Sequence, residues 1–320
     1  AKTMADLEDL LLRTSRTFAL SIPHLPEPIR REVTLAYLLF RIADTFEDAP
    51  DWPRREKTGA LEEFSRFLDG PEQSAEIAAA ARRWWGEVPC AQSGYRDLLA
   101  EVPYVLDCFF HLAPEAVEVI RHHTRRTISG MAGYVARGTD RGELSLADLE
   151  DLRGYCYVVA GIVGELLTDL FVLGQPQLLA VAGALRERAP LYGEGLQLVN
   201  ILKDSAADAL EGRRYIPVVP GATEQEVRGQ VMTIARRDLE AAVLYVLDLQ
   251  GAGAARGLVA FNALPLHLAQ ATLDRVEHAG PGSKLTRPEV LAIVQRMNGA
   301  LDRNEPAVWN APDRPLLAHG

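Results

Sequence analysis

The chain has 320 residues, 48% hydrophobic and 24% charged, a composition that excludes a wholly disordered or fibrous protein. Its 34 basic and 44 acidic residues leave a formal charge of −10, which argues against a general nucleic-acid binder, because neutralising phosphates takes clustered Lys and Arg. The three cysteines, Cys90, Cys108 and Cys156, have no zinc-type spacing and no disulfide pattern, which fits a reducing, cytoplasmic setting.

Strand signals are scarce, and the pattern is helical nearly throughout. Glu27–Asp48 places Val33, Tyr37, Phe40 and Ala43 on one helical face, with Asp44 next on that face. A second helix is predicted over Pro53–Leu68 and a long one over Pro114–Val135. Gly142–Ser145 reads as a loop, and Ser145-Leu-Ala-Asp148 as a capped helix start. Leu149–Leu173 is the most apolar predicted helix. Its Gly154, Ala160, Gly161 and Gly164 imply that something bulky lies close to its backbone, since glycine costs a helix ~1 kcal/mol against alanine. The apolar stretch Tyr155 to Gly164 ends at Glu165 and falls short of the ~20 residues that cross a bilayer, which leaves a chain without a transmembrane segment, free to touch a membrane surface. Helices are predicted over Tyr192–Leu210, Glu224–Leu249, Leu258–Glu277 and about Arg287 to Leu301, with a turn at His278–Ser283. Asn304–Gly320 reads as a loosely ordered tail, and residues 1–320 as one all-α domain.

Two acidic motifs carry the chemistry: Asp44-Thr-Phe-Glu-Asp48 and Asp204-Ser-Ala-Ala-Asp208. Carboxylates four residues apart on a helix share a face, roughly 5–6 Å between Cβ atoms, and repel without a counter-ion. Mg²⁺ takes such oxygens and keeps positions for water or phosphate. One such pair arises easily by chance among 44 acidic residues. Here, however, both follow apolar runs, where an unpaired carboxylate is costly. Gln197 and Asn200 precede Asp204 on the same face, so four polar residues stand where a core face would be apolar.

The chain resembles the squalene/phytoene synthase family of head-to-head prenyltransferases, and within it looks most like a bacterial squalene synthase. The resemblance rests on Ser15-Arg-Thr-Phe-Ala-Leu-Ser-Ile-Pro23, on Tyr37 through Asp48, on Gly130-Met-Ala-Gly-Tyr134, on Tyr155 through Gly164, and on Asn200-Ile-Leu-Lys-Asp204 with Gly212-Arg-Arg-Tyr-Ile-Pro217. These segments stand in the family's order over about residues 15–300. Ala207, Lys203 and Tyr157 depart from its usual acidic residue, Arg and His.

What the resemblance implies is a helical bundle around a central cavity, acting on prenyl diphosphates. Asp44, Asp48, Asp204 and Asp208 would bind Mg²⁺. Tyr155, Tyr37 and Arg41 would be catalytic. Ser15, Arg16, Phe18, Arg41, Gln197, Asn200, Lys203, Arg213 and Arg214 would contact substrate. Lys284 and Arg287 would hold the phosphates of NADPH. The expected reaction joins two farnesyl diphosphates through presqualene diphosphate to squalene, in a monomer or homodimer. Dehydrosqualene, hydroxysqualene, phytoene or presqualene diphosphate are the alternative products. A class I terpene cyclase is disfavoured by the tyrosine run, and a non-catalytic scaffold by the polar face of Gln197, Asn200, Asp204 and Asp208. His122 and His123 point about 100° apart on a helix and read as surface or packing residues. No Gly-rich strand-to-helix turn supports a Rossmann cofactor site.

Overall fold

A computed structural model describes residues 2–309, except the side chains of Arg16 and Thr17. Among these residues are fourteen α-helices. The first half comprises α1 (Met4–Thr14), α2 (Arg16–Ser21), α3 (Ile29–Glu47), α4 (Arg54–Phe67), α5 (Ser74–Glu87), α6 (Ser93–Ala100), α7 (Val102–Phe110) and α8 (Pro114–Arg137). The second comprises α9 (Leu149–Cys156), α10 (Ile162–Gly174), α11 (Ala182–Leu210), α12 (Glu224–Gly251), α13 (Arg256–Ala279) and α14 (Arg287–Asp302). Two two-residue strands, β1 (Leu144–Ser145) and β2 (Arg213–Arg214), pair in parallel.

α3 lies at the centre. From Glu32 to Phe46 every residue except Arg41 and Asp44 is buried. Phe46 anchors its C-terminal end: its ring stands 4.7 Å from Trp84 of α5 and 6.2 Å from Phe64 of α4, both edge-on. A fully buried side chain of this size stabilises the fold by ~2–3 kcal/mol. The acidic end of the helix is thereby fixed by an aromatic cluster directly beneath it.

The apolar run predicted as one helix is α9, a single π turn over Tyr157–Gly161, and α10. The N–H of Ile162 reaches back to the Tyr157 carbonyl, one residue farther than in an α-helix. Its glycines meet neighbouring helices. A Cβ on Gly164 would run into the Ala189 carbonyl of α11, and one on Gly193 of α11 would run into the Ala160 carbonyl. The bulky neighbour implied by the small residues is the α11 backbone. By length and composition Leu149–Gly174 would suffice to cross a membrane, contrary to the estimate from Tyr155–Gly164 alone. It packs against α8 and α11, and an Arg126–Glu165 ion pair of 2.9 Å ties it to α8.

Other boundaries differ from the sequence reading. α11 begins at Ala182 rather than Tyr192 and runs through Pro190, which costs it one donor without ending it. The cap of α9 is Asp148, which accepts from the Asp151 N–H at 2.8 Å; Ser145 lies in β1. Residues 304–309 of the expected loose tail are packed in place. Trp309 stacks on His267 at 3.5 Å, and the Ala307 N–H donates to Gln250 Oε1 at 2.8 Å. The rest of the tail, 310–320, lies outside the described residues.

Glu32, only 4% exposed, has a carboxyl oxygen with no partner among the described residues. Burial, and then the charge of Glu27, push it up to about 7. Between its ordinary value of 4.5 and about 7, the native chain holds a proton that the unfolded chain releases, so stability falls as pH rises through that window. Glu32→Gln, which mimics the protonated form, should raise stability at pH 8 by about 1–3 kcal/mol and flatten the dependence of Tm on pH between 4.5 and 7. Thermal unfolding across that range checks this.

Candidate active site

α3, the α9–α10 run, α11, α12 and α13 enclose a cavity of about 340 Å³. Its wall is aliphatic, with Val159 in the π turn, Val163 and Leu167 on α10, and Leu196 on α11. Tyr37, Tyr155, Tyr192 and Tyr245 also line it. Polar groups gather at one end: Arg41, Asp44, Glu47 and Asp48 from α3, with Gln197 and Asn200 from α11. The Gly-Met-Ala-Gly-Tyr segment on α8 supports this end. A Cβ on Gly130 would collide with Val158, so glycine lets α8 close on the π turn. Tyr134 packs edge-on against Tyr155 at 5.2 Å.

The acidic end carries more negative charge than its cations match closely. Arg41 stands 3.4 Å from Asp44, and Arg213 reaches Asp48 at 2.9 Å. Asp44 is pushed up to about 7, mainly by burial, with Arg41 pulling down and Asp48 pushing further up. Asp48 at the mouth is raised as well, by burial, against the pull of Arg213, Lys57 and Arg41. Glu47 accepts from the Tyr155 hydroxyl at 2.9 Å, while its Oε2 is buried with no partner among the described residues. Burial and the charges of Asp48 and Asp44 hold its carboxyl well above the usual range. Across the mouth, Asp208 of α11 sits up at about 6. Burial is the main cause, Arg213 opposes it, and Asp204, Glu211 and Asp48 add to it.

This donor set suits a hard divalent cation. It offers carboxylate oxygens from two helices, one of them an unpartnered buried oxygen. Among the described residues no three His, Cys, Asp or Glu side chains converge tightly enough to hold one ion alone. Oxygens supplied in ones and twos match a cation such as Mg²⁺, which completes its shell with water and phosphate oxygens.

A second cleft, about 860 Å³, adjoins the cavity and shares Phe18, Arg41, Leu196, Asn200 and Pro265 with it. Ser15, Lys203 and Lys284 line it.

The pattern defining the squalene/phytoene synthase family matches residues 11–219. The chain belongs to this family. It is 34% identical over 212 residues to the squalene synthase of Eremothecium gossypii, which is 65% of this chain and 44% of that protein. It is 32% identical over 205 residues to the Botryococcus squalene synthase of Botryococcus braunii, 63% of this chain and 39% of that protein. The match therefore spans less than half the length of these curated relatives. The solved structure of TcSQS with the ligand BPH1237 shares the fold, with a TM-score of 0.70 at 23% identity over 97% of this chain and 93% of that one. A dehydrosqualene synthase in complex with a ligand gives 0.61 at 19% identity, covering 93% and 96%.

Most residues that the family resemblance singles out meet at the cavity. Tyr37 faces it with its ring 4.4 Å from that of Phe18. Tyr155 packs between an edge-on Tyr134 and a stacked Tyr215, and its hydroxyl stays protonated, burial being the chief cause. Gln197 and Asn200 line the cavity; Asp204 stands at the rim with its side chain 47% exposed, 3.9 Å from Lys203. Asp208, Arg213 and Arg214 line a small recess beside the mouth. Arg16 lies in α2, and its side chain is outside the described ones. Arg287 is exposed at the first residue of α14 and is not brought to the cleft; Lys284 is. His123 is buried and paired with Asp169 at 2.8 Å, and His122 is exposed, as packing and surface roles require.

Three residues of the acidic end escape the motif reading, as do Tyr192 and Tyr245 in the wall. Glu47 sits inside the first acidic motif, its spacing hidden by the four-residue pairing of the aspartates. Tyr215 follows Arg213-Arg214 and stacks on Tyr155 at 5.1 Å. Lys57, 6% exposed on α4, donates to the Glu47 backbone carbonyl at 2.7 Å and places its charge beside Asp48 and Glu47. Lys57→Met leaves that carbonyl unpaired and takes one cation away from Asp48 and Glu47. It should cost about 1–3 kcal/mol of stability, measured by urea unfolding, and Lys57→Arg should recover part of the loss.

Proposed function

We propose that this protein joins two farnesyl diphosphates head to head, through presqualene diphosphate, and reduces the product to squalene with NADPH. The observation that carries the reading is the division of the cavity: an aliphatic and aromatic interior, with unmatched carboxylates and arginines gathered at one end. Such a site can hold a diphosphate at its mouth and keep the prenyl chain dry.

Mg²⁺ held by Asp44, Asp48, Asp204 and Asp208 would neutralise the diphosphate charge as the allylic carbon–oxygen bond breaks. Arg41 and Arg213 supply guanidinium donors to the same phosphates, each already leaning on an aspartate that orients it. The walls exclude water from the resulting carbocation, and the ring faces of Tyr37 and Tyr155 stabilise it. Forming the cyclopropane of presqualene diphosphate releases one proton. Tyr155 Oη can accept it while passing its own proton along the 2.9 Å bond to Glu47 Oε1. NADPH would supply the hydride of the second half-reaction, and Lys203 and Lys284 in the adjoining cleft are cationic partners for its phosphates.

Incubation with farnesyl diphosphate and Mg²⁺, with and without NADPH, followed by product identification, tests the reading. Squalene with NADPH and presqualene diphosphate without it are expected. No condensation at all would overturn the reading, and dehydrosqualene in both arms would remove the reductive step while keeping the condensation. Asp48→Asn and Asp204→Asn should each lower turnover at least about 100-fold, roughly 3 kcal/mol of barrier, with the helical circular dichroism unchanged.

A further inference from the structure

The end of the cavity opposite the carboxylates is closed by a hydrogen-bonded brace of tyrosines. Thr168 Oγ1 donates to the Gly164 carbonyl at 2.8 Å, which commits its proton. The Tyr245 hydroxyl, 2.7 Å away, is therefore the donor to Thr168. This bond joins α12 to α10 across the end of the cavity. Tyr192 packs edge-on against Tyr245, ring centroids 5.6 Å apart, and its hydroxyl donates to the Asn262 carbonyl, joining α11 to α13. Both tyrosines are buried, and both hydroxyls are satisfied away from the lumen. They present ring carbon to the cavity and cannot swing aside without breaking a buried hydrogen bond.

The depth of the cavity follows from helix rise. Thr168 lies thirteen residues beyond Tyr155, whose hydroxyl marks the acidic end, which is ~20 Å along the helix. On α11, Tyr192 lies twelve residues before Asp204, ~18 Å. The tyrosine rings fill the last part of that span. At ordinary carbon–carbon bond lengths one isoprene unit advances about 5 Å, so three units extend ~15 Å and four ~20 Å. Three fit in front of the brace, and the fourth meets it.

We propose that Tyr245, held by Thr168, sets the chain length of the prenyl diphosphate this site accepts, admitting fifteen carbons and excluding twenty. The inference rests on the prenyl diphosphate reading given above. The test is calorimetric binding of the non-reacting thiolodiphosphate analogues of farnesyl and geranylgeranyl diphosphate, with Mg²⁺, so that chemistry does not enter. The wild-type chain should bind the fifteen-carbon analogue more tightly. Tyr245→Ala should shift the affinity ratio toward the twenty-carbon analogue by ten-fold or more. Tyr245→Phe, which keeps the ring but loses its bond to Thr168, should shift the ratio in the same direction by a smaller amount. If the Ala variant does not fold, Tyr245→Leu makes the same opening with less loss of packing. A folded Ala or Leu variant that binds the fifteen-carbon analogue with an unchanged ratio overturns the role of Tyr245 alone. A wild-type chain that binds neither analogue overturns the functional reading, and this inference with it.

Discussion

The structure turns on one constraint: the most buried helix of the first half ends in three carboxylates. Apolar packing from Glu32 to Phe46 fixes where α3 ends, and the Phe46–Trp84–Phe64 cluster fixes how. Asp44, Glu47 and Asp48 cannot move away from one another or fully into solvent. Much of the surrounding architecture answers that charge. α4 contributes Lys57, the paired strands bring Arg213 alongside Asp48, and α9 brings the Tyr155 hydroxyl to Glu47. The balance stays incomplete, since Glu47 Oε2 has no partner among the described residues and the raised carboxyls of Asp44 and Asp208 record the residual crowding.

The interior follows the opposite rule. Its tyrosines turn their polar atoms into the walls: Tyr155 to Glu47, Tyr192 to a backbone carbonyl, Tyr245 to Thr168. These three present ring surface to the lumen, beside the aliphatic carbon of Val159, Val163, Leu167 and Leu196. That arrangement stabilises a cation by quadrupole without offering it a nucleophile, which is the condition a reactive allylic intermediate needs. Behind the wall, Arg153 pairs with Glu194 at 2.9 Å. Burial and Glu194 together hold the Asp238 carboxyl well up, so a buried polar cluster braces α9, α11 and α12 without reaching the cavity.

Local pattern carried the all-α fold and the two acidic motifs, because both are written in spacings of three and four along single helices. α3 and its aspartates were legible for that reason, as was the polar face of Gln197, Asn200, Asp204 and Asp208. Contacts between distant segments left no such trace. Lys57 looks like any surface lysine until α4 folds back on α3. Tyr245 lies on a helix with no motif, and its role depends on Thr168 seventy-seven residues away. Glycine content signals close approach without saying to what; for Gly164 the neighbour is the α11 backbone. The π turn leaves no trace in spacings of three and four, because its hydrogen bond reaches one residue farther back. Arg287, named by resemblance to a cofactor region, is exposed at the first residue of α14 and is not among the residues lining the cleft that Lys284 lines.

The central claim is that the carboxylates of α3 and α11 face each other in order to share cations with a diphosphate. Its most direct test is a crystal structure of the chain with Mn²⁺ and farnesyl thiolodiphosphate, with Mn²⁺ located by anomalous scattering. The account predicts Mn²⁺ in contact with oxygens of Asp44 or Asp48 on one side and Asp208 on the other, with diphosphate oxygens completing the shell. A diphosphate bound by arginines and lysines alone, with Mn²⁺ absent from both acidic motifs, would contradict it.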